Sequence, residues 1–141
     1  MFEPDVYNNT VFGVLSKMED SPFKFILTGS HFFKNATVSS DYDFFVEATA
    51  NKEIIKFLEN LGFDRISSSG YQDTATSAVY RYEMKNGTAV DVQIIQVGQL
   101  GTKVEAQALI ARKFHPDELP TTKEGRTTMW DFAIRMVCVP D

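Results

Sequence analysis

Three aspartates are the residues of this 141-residue chain whose type and spacing best suit chemistry. Asp41 and Asp43 open an apolar segment and are separated by one residue, so in a strand both side chains point to the same face. Two carboxylates held side by side repel each other, and a folded protein tolerates this mainly when a cation lies between them. Carboxylate oxygens at a strand edge suit Mg²⁺, which proteins usually share with substrate phosphates.

The third aspartate, Asp91, lies in an apolar segment between Val90 and Val92. An aspartate in such a segment is seldom buried unless it is paired or coordinates a cation. A second interpretation stays open, because a strand with one exposed face would place Asp91, Gln93 and Ile95 on that face.

A Gly-Ser pair precedes the first two aspartates. Gly29 and Ser30 follow a short apolar strand and are separated from Asp41 by a polar loop. Glycine allows a sharp turn and a close approach of the backbone to a ligand. Ser30 offers a hydroxyl group and, if a helix begins there, backbone N–H groups for a phosphate.

Together, Gly29-Ser30, Asp41-x-Asp43 and Asp91 resemble the signature of the nucleotidyltransferase fold superfamily, the polymerase-beta-like enzymes. The resemblance covers about residues 23 to 96. It implies an α/β (α+β) fold with a mixed sheet of about five strands and helices packed mainly on one face. It also implies that Gly29 and Ser30 hold a nucleoside triphosphate. The three aspartates would then be the catalytic residues and the ligands of a two-metal Mg²⁺ site.

The activity implied by the resemblance is transfer of an NMP group from a nucleoside triphosphate to a hydroxyl of an RNA or protein acceptor. ATP is the default nucleotide, since no residue reads a base edge recognisably. The size resembles that of minimal, single-domain members, which often work with a partner subunit or as small homo-oligomers. The alternative is a catalytically inactive nucleotidyltransferase-like scaffold that binds and inhibits a partner protein.

Two basic residues are further candidates for nucleotide binding. Lys34 is the nearest cation on the loop after Gly29-Ser30, and Arg81 lies on the strand that precedes Asp91. Arg81 is a candidate partner for Asp91 or for a triphosphate, or else an exposed cross-strand charge. More positive charge collects towards the C-terminus, on a surface that is either a solvated helix face or a site for the acceptor: Lys103, Arg112, Lys113, Lys123 and Arg126.

Composition narrows the class of protein. The length predicts a single domain over residues 1–141, and the net charge of −5 disfavours a large nucleic-acid footprint. The single cysteine, Cys138, makes no intramolecular disulfide and favours a reducing cytoplasm. The N-terminus has no signal-peptide pattern and no apolar stretch reaches membrane-spanning length, so we predict a cytoplasmic protein without a membrane partner.

Periodicity predicts the elements that must position the aspartates. Helices are predicted over 5–19, 52–61 and 102–114, with a last helix after Pro120. Strands are predicted over 23–28, 41–47, 63–67, 76–84 and 88–97, and residues 67–73 have the composition of a flexible flap. Asn86-Gly87 is a strong hairpin signal that joins the last two strands. We expect strands 23–28, 41–47 and 88–97 to be neighbours.

Overall fold

The computed structural model describes residues 11–37, 39–66, 78–85 and 87–138. Its helices are α1 (Val11–Glu19), α2 (Gly29–Phe33), α3 (Asn51–Leu61), α4 (Leu100–Lys113) and α5 (Lys123–Cys138). Its strands are β1 (Ile26–Thr28), β2 (Tyr42–Glu47), β3 (Asp64–Ile66), β4 (Ala78–Glu83) and β5 (Ala89–Ile95). The predictions for residues 5–10, for the flap at 67–73 and for Asn86 lie outside the described residues. None of the helices within the described ranges is long and apolar enough to cross a membrane.

The strands form one mixed sheet in the order β1-β2-β5-β4-β3. Strands β2 and β5 run parallel, and the other neighbouring pairs are antiparallel. A parallel pair needs a long connection, and here it runs through α3, β3 and β4. The predicted five-stranded mixed sheet is confirmed, and so is the adjacency of β1, β2 and β5.

One face of the sheet is covered by α1 and α3. Side chains alternate along β5, so Val90, Val92 and Ile94 all point to this face and are buried there. They belong to one hydrophobic core with Met18 of α1 and Leu58 of α3. Burying a side chain of this size contributes about 2 kcal/mol. This layer therefore fixes β5, and with it Asp91, in the centre of the sheet.

The opposite face carries the aspartates and a second, smaller hydrophobic cluster. Its buried members come from α2, α4, α5 and the segment before α5: Phe33, Ala106, Ile110, Leu119 and Ala133. Trp130 of α5 packs edge-on against Phe45 of β2, with 6.1 Å between ring centroids. Helices thus lie on both faces, whereas the resemblance implied mainly one. The physical reason is that apolar Phe45 lies two residues after Asp43 on β2 and points to the same face, so this face too needs cover.

A tight turn joins β4 to β5. Gly87 adopts a positive φ of 89°, and its N–H donates to the carbonyl of Met84 at 3.0 Å. The N–H of Met84 donates in turn to the carbonyl of Thr88 at 2.8 Å. The predicted hairpin is confirmed, and its register places Arg81 directly opposite Asp91.

Candidate functional site

A row of polar residues crosses the sheet from β1 to β4. Thr28 pairs with Asp43, Asp43 pairs with Asp91, and Asp91 pairs with Arg81. Residues directly opposite each other on neighbouring strands point to the same face. The row therefore collects two carboxylates and one guanidinium on the face that α4 and α5 partly cover.

Asp41 lies just before β2, and its side chain reaches β5 and Arg81. Its Oδ1 accepts a hydrogen bond from the N–H of Ala89 at 2.8 Å. Its Oδ2 lies 3.9 Å from Nη2 of Arg81. The structure thus brings together the three aspartates that the sequence grouped, and it adds Arg81 between two of them.

Arg81 holds Asp91 with both arms of its guanidinium. Nε donates to Oδ1 at 2.7 Å, and Nη2 donates to Oδ2 at 3.0 Å. The Asp91 side chain is 8% exposed, whereas that of Arg81 is 38% exposed. The hydrogen bond to Asp91 raises the pKa of Arg81 above its already high value, so this cation stays charged. Of the three roles left open for Arg81, the structure shows the partnership with Asp91.

Asp43 has an unusually weak acid group. Burial, followed by the charges of Asp91 and Asp41, raises its pKa from 3.8 to about 7, and Arg81 opposes this only in part. A side-chain hydrogen bond with Asp91 adds to the shift, because one of two hydrogen-bonded carboxyls must keep a proton. Clustered carboxylates thus raise the pKa of one member, as elementary electrostatics requires.

Gly29 allows Asp43 to lie against the backbone. Its φ is +70°, and a Cβ atom at this position would overlap Oδ2 of Asp43. It is the first residue of the five-residue helix α2, and Ser30 follows it on the wall of the groove. Lys34, the residue after α2, has a φ of 63°. Its side chain is exposed and does not line the groove.

The aspartates lie in a groove of about 1130 Å³ between the sheet and helices α4 and α5. The helical wall contributes three cations and one indole ring: Lys103, Lys123, Arg126 and Trp130. Arg112 and Lys113, which the sequence grouped with these cations, lie at the exposed end of α4 instead. Basic side chains therefore face the acidic sheet across the groove.

Lys103 is the most buried of these cations. Its Nζ lies 5.7 Å from the centroid of the Phe45 ring. Burial lowers its pKa, and the charge of nearby Asp131 opposes that shift. A partly desolvated ammonium group beside an aromatic ring gains more from an incoming anion than an exposed one does.

Sequence reasoning missed Thr28 and underrated Lys103. Thr28 is 6% exposed, and its Oγ1 is buried without a hydrogen-bond partner beside the pair formed with Asp43. Its only sequence signal is its position one residue before Gly29. His31, also beside the Gly-Ser pair, stacks on Tyr42 with ring centroids 3.7 Å apart. This packing contact gives His31 a structural role.

The oxygen atoms around the aspartates match the Mg²⁺ that the resemblance implies only in part. Three carboxylates and an unpartnered threonine hydroxyl are hard oxygen donors of the kind that Mg²⁺ prefers. In the described part of the chain, however, no three His, Cys, Asp or Glu side chains are arranged as ready metal ligands. Arg81 engages both oxygens of Asp91, so an ion on this carboxylate would have to displace it. Arg81 lies 3.9 Å from Asp41, so Asp41 and Asp43 are the carboxyls that it engages least, and Asp91 fits the ion only after releasing Arg81.

Comparison with models of known protein families finds no match, and neither does comparison with curated proteins. What the chain does is therefore inferred from the groove and its charged residues.

Proposed function

We propose that this protein is a metal-dependent nucleotidyltransferase. It moves an NMP group from a nucleoside triphosphate to a hydroxyl of an RNA or protein acceptor and releases pyrophosphate. The observation that carries the proposal is the direct pairing of Asp43 with Asp91 on parallel strands, with Asp41 two residues away, on the floor of an open groove. Positioned carboxylates and charge neutralisation are the main requirements of phosphoryl-type transfer.

Each aspartate has a role in this proposal. Asp41 and Asp43 would hold Mg²⁺, and Asp91, once Arg81 has released it, would receive the proton of the acceptor hydroxyl. Mg²⁺, when bound, neutralises the charge that develops on the phosphates and lowers the pKa of the acceptor hydroxyl. The two-metal form of the site stays a prediction.

The groove supplies the remaining contacts for the nucleotide. Gly29 and Ser30 lie beside Asp43, and we assign the terminal phosphates to this end. Lys103, Lys123 and Arg126 on the opposite wall carry charge that complements a triphosphate. The volume of about 1130 Å³ exceeds the usual range for a single small ligand, so it leaves room for an acceptor end. ATP remains the default nucleotide.

The acceptor and the setting are proposed more coarsely. A short RNA end or a protein hydroxyl suits a groove whose cations are confined to one wall, whereas the net charge of −5 disfavours a long nucleic acid. A partner subunit or a small homo-oligomer, working in the cytoplasm, completes the proposal. Lys34, exposed outside the groove, remains a nucleotide-binding candidate only on the basis of its place in the sequence.

The decisive experiment is a labelling assay with the purified protein. The protein is incubated with Mg²⁺, a cell lysate and each α-³²P-labelled nucleoside triphosphate in turn. We expect one nucleotide to label one band, and sensitivity of that band to ribonuclease or protease to name the acceptor class. Asp43→Asn should abolish labelling, because it keeps the size of the side chain and removes its charge.

Asp20→Asn is the matched control, since Asp20 is an exposed carboxylate outside the groove. It should label like the natural protein. Labelling that survives Asp43→Asn, or that is absent with every nucleotide, contradicts the proposal.

One observation favours a second candidate, the inactive scaffold that binds and inhibits a partner protein. Arg81 already neutralises Asp91, as an ion pair would in a site that has lost its metal. Large apolar side chains on α1 and α5 are exposed and suit a protein surface: Phe12, Phe132 and Met136. In the labelling assay, this candidate predicts that no band is labelled. It also predicts that a partner protein binds in a stoichiometric amount and still binds to Asp43→Asn.

A further inference from the structure

We propose that Arg81 is an internal cation of the site, which holds Asp91 and keeps a divalent ion off that carboxylate. This inference rests on the proposed function, because it concerns how many ions the three aspartates take. It changes that proposal in one respect. The resting protein binds one ion fewer than a triad of free carboxylates would bind.

The geometry of the pair is the first argument. The two guanidinium arms reach separate oxygens of Asp91, at 2.7 Å and 3.0 Å, in the fork arrangement that makes arginine–carboxylate pairs strong. Asp91 also lies directly opposite Asp43 on β2. Since its side chain is only 8% exposed, little of this carboxylate is left open to the groove.

The register of the β4–β5 hairpin also holds Arg81 beside Asp91. Arg81 and Asp91 are directly opposite each other in the β4–β5 hairpin, so the guanidinium begins its reach beside its partner. Asp64 of β3 is paired with Arg81 on the other side, and Oδ2 of Asp41 lies 3.9 Å from Nη2. The charges of Asp91, Asp41 and Glu83 act on Arg81, so moving it away from them loses several favourable interactions.

Electrostatics supplies the third argument. A divalent ion on Asp91 would lie against the guanidinium, and like charges a few ångströms apart in a half-buried site repel strongly. Asp41 uses one oxygen for the N–H of Ala89, and its other oxygen lies 3.9 Å from Nη2 of Arg81, farther from the guanidinium than the 2.7 Å and 3.0 Å contacts of Asp91. The first ion therefore goes to Asp41 and Asp43. A second ion requires Arg81 to leave Asp91.

The test counts bound Mn²⁺ by electron paramagnetic resonance during titration of the protein, without nucleotide. We expect Arg81→Met to bind one more Mn²⁺ per chain than the natural protein. Arg112→Met is the matched control, because it removes the same charge from the exposed end of α4, outside the groove. It should bind as many ions as the natural protein. Adding Asp91→Asn to Arg81→Met should remove the extra ion.

An equal number of ions, bound with equal affinity, in the natural protein and in Arg81→Met overturns the inference. Arg81→Lys serves if Arg81→Met does not fold. Arg81→Lys keeps the charge but loses the two-point contact with Asp91, so it should bind the extra Mn²⁺ weakly. If it binds no extra Mn²⁺, the inference is again overturned. If the natural protein binds no ion while Arg81→Met binds one, the inference is supported and the proposed function fails, so the two outcomes are distinguishable.

Discussion

Asp43 and Asp91 are directly paired on the parallel strands β2 and β5, so their carboxyls lie on the same face of the sheet. Burial together with two neighbouring carboxylates raises the pKa of Asp43, so Asp43 is the member of the pair that keeps a proton more readily. Arg81, on the next strand, balances the charge that remains on Asp91. The site is thus a row of acid, carboxylate and guanidinium, and each member can be tested separately.

The first prediction concerns the dependence of stability on pH. The pKa of Asp43 is raised to about 7, so between about pH 4 and pH 7 the native state keeps a proton that the unfolded state has lost. The free energy of unfolding therefore falls as pH rises through this window. Asp43→Asn has no proton to lose, so its melting temperature relative to the natural protein should be higher at about pH 8 than at about pH 5.

Thermal unfolding followed by circular dichroism at both pH values measures this difference. The full shift corresponds to at most about 4 kcal/mol. Asp20→Asn, at an exposed carboxylate, should show no comparable change between the two pH values. A constant offset between Asp43→Asn and the natural protein at both pH values would show that Asp43 is not buried as described.

The second prediction concerns the ion pair itself. Arg81→Met leaves the carboxylate of Asp91 buried without its cation. This should lower the free energy of unfolding by about 2 kcal/mol, a value kept small because the arginine is partly exposed to solvent. Adding Asp91→Asn removes the unpaired charge and should restore part of the stability. Urea unfolding of the two single variants and the double variant forms the cycle that measures the coupling. Additive losses would mean that the two side chains do not interact.

The third prediction concerns the contact between Gly29 and Asp43. Gly29→Ala places a methyl group where Oδ2 of Asp43 lies, at a φ of +70° that costs a further ~1 kcal/mol for any side chain. Asp43 must move, so we expect Mn²⁺ affinity to fall by about tenfold, as a small displacement of a metal ligand generally does.

Gly98→Ala is the control for this change. Gly98 also has a positive φ, +89°, but a Cβ atom there meets nothing within 4 Å. It should lose similar stability from backbone strain and no Mn²⁺ affinity. If both variants bind Mn²⁺ alike, then Asp43 does not depend on Gly29 for its position.

The fourth prediction concerns the helical wall of the groove. Lys103→Met should lower the affinity for a nucleoside triphosphate by about tenfold, because a partly desolvated ammonium group makes a strong contact with a phosphate. It should not lower the melting temperature, since burial already disfavours the charged form of this lysine. Fluorescent ATP analogues measure the affinity by titration. Lys113→Met, at the exposed end of α4, is expected to bind the analogue normally.

Local patterns in the sequence were sufficient for most of the fold. Alternation along residues 88–97 correctly separated Val90 and Val92 from Asp91, because the two faces of a strand meet different surroundings. The Gly87 turn could be predicted for a similar reason, since a hairpin of this kind needs a positive φ that glycine adopts readily. The helices on the second face were not predicted to lie there, because which face a helix packs on depends on residues far away in the chain.

The sequence by itself determined that three aspartates and a Gly-Ser pair would be placed at strand ends and strand centres, since those positions follow from short-range periodicity. Only the tertiary structure decided what each carboxylate contacts. The parallel register of β2 and β5 sets Asp43 against Asp91 across a separation of 48 residues, and no local pattern encodes such a register. Arg81 had three open roles in the sequence, as a partner of Asp91, as a contact for a triphosphate or as an exposed cross-strand charge. The hairpin register put it opposite Asp91, and a guanidinium next to a buried carboxylate forms an ion pair rather than staying free in the groove.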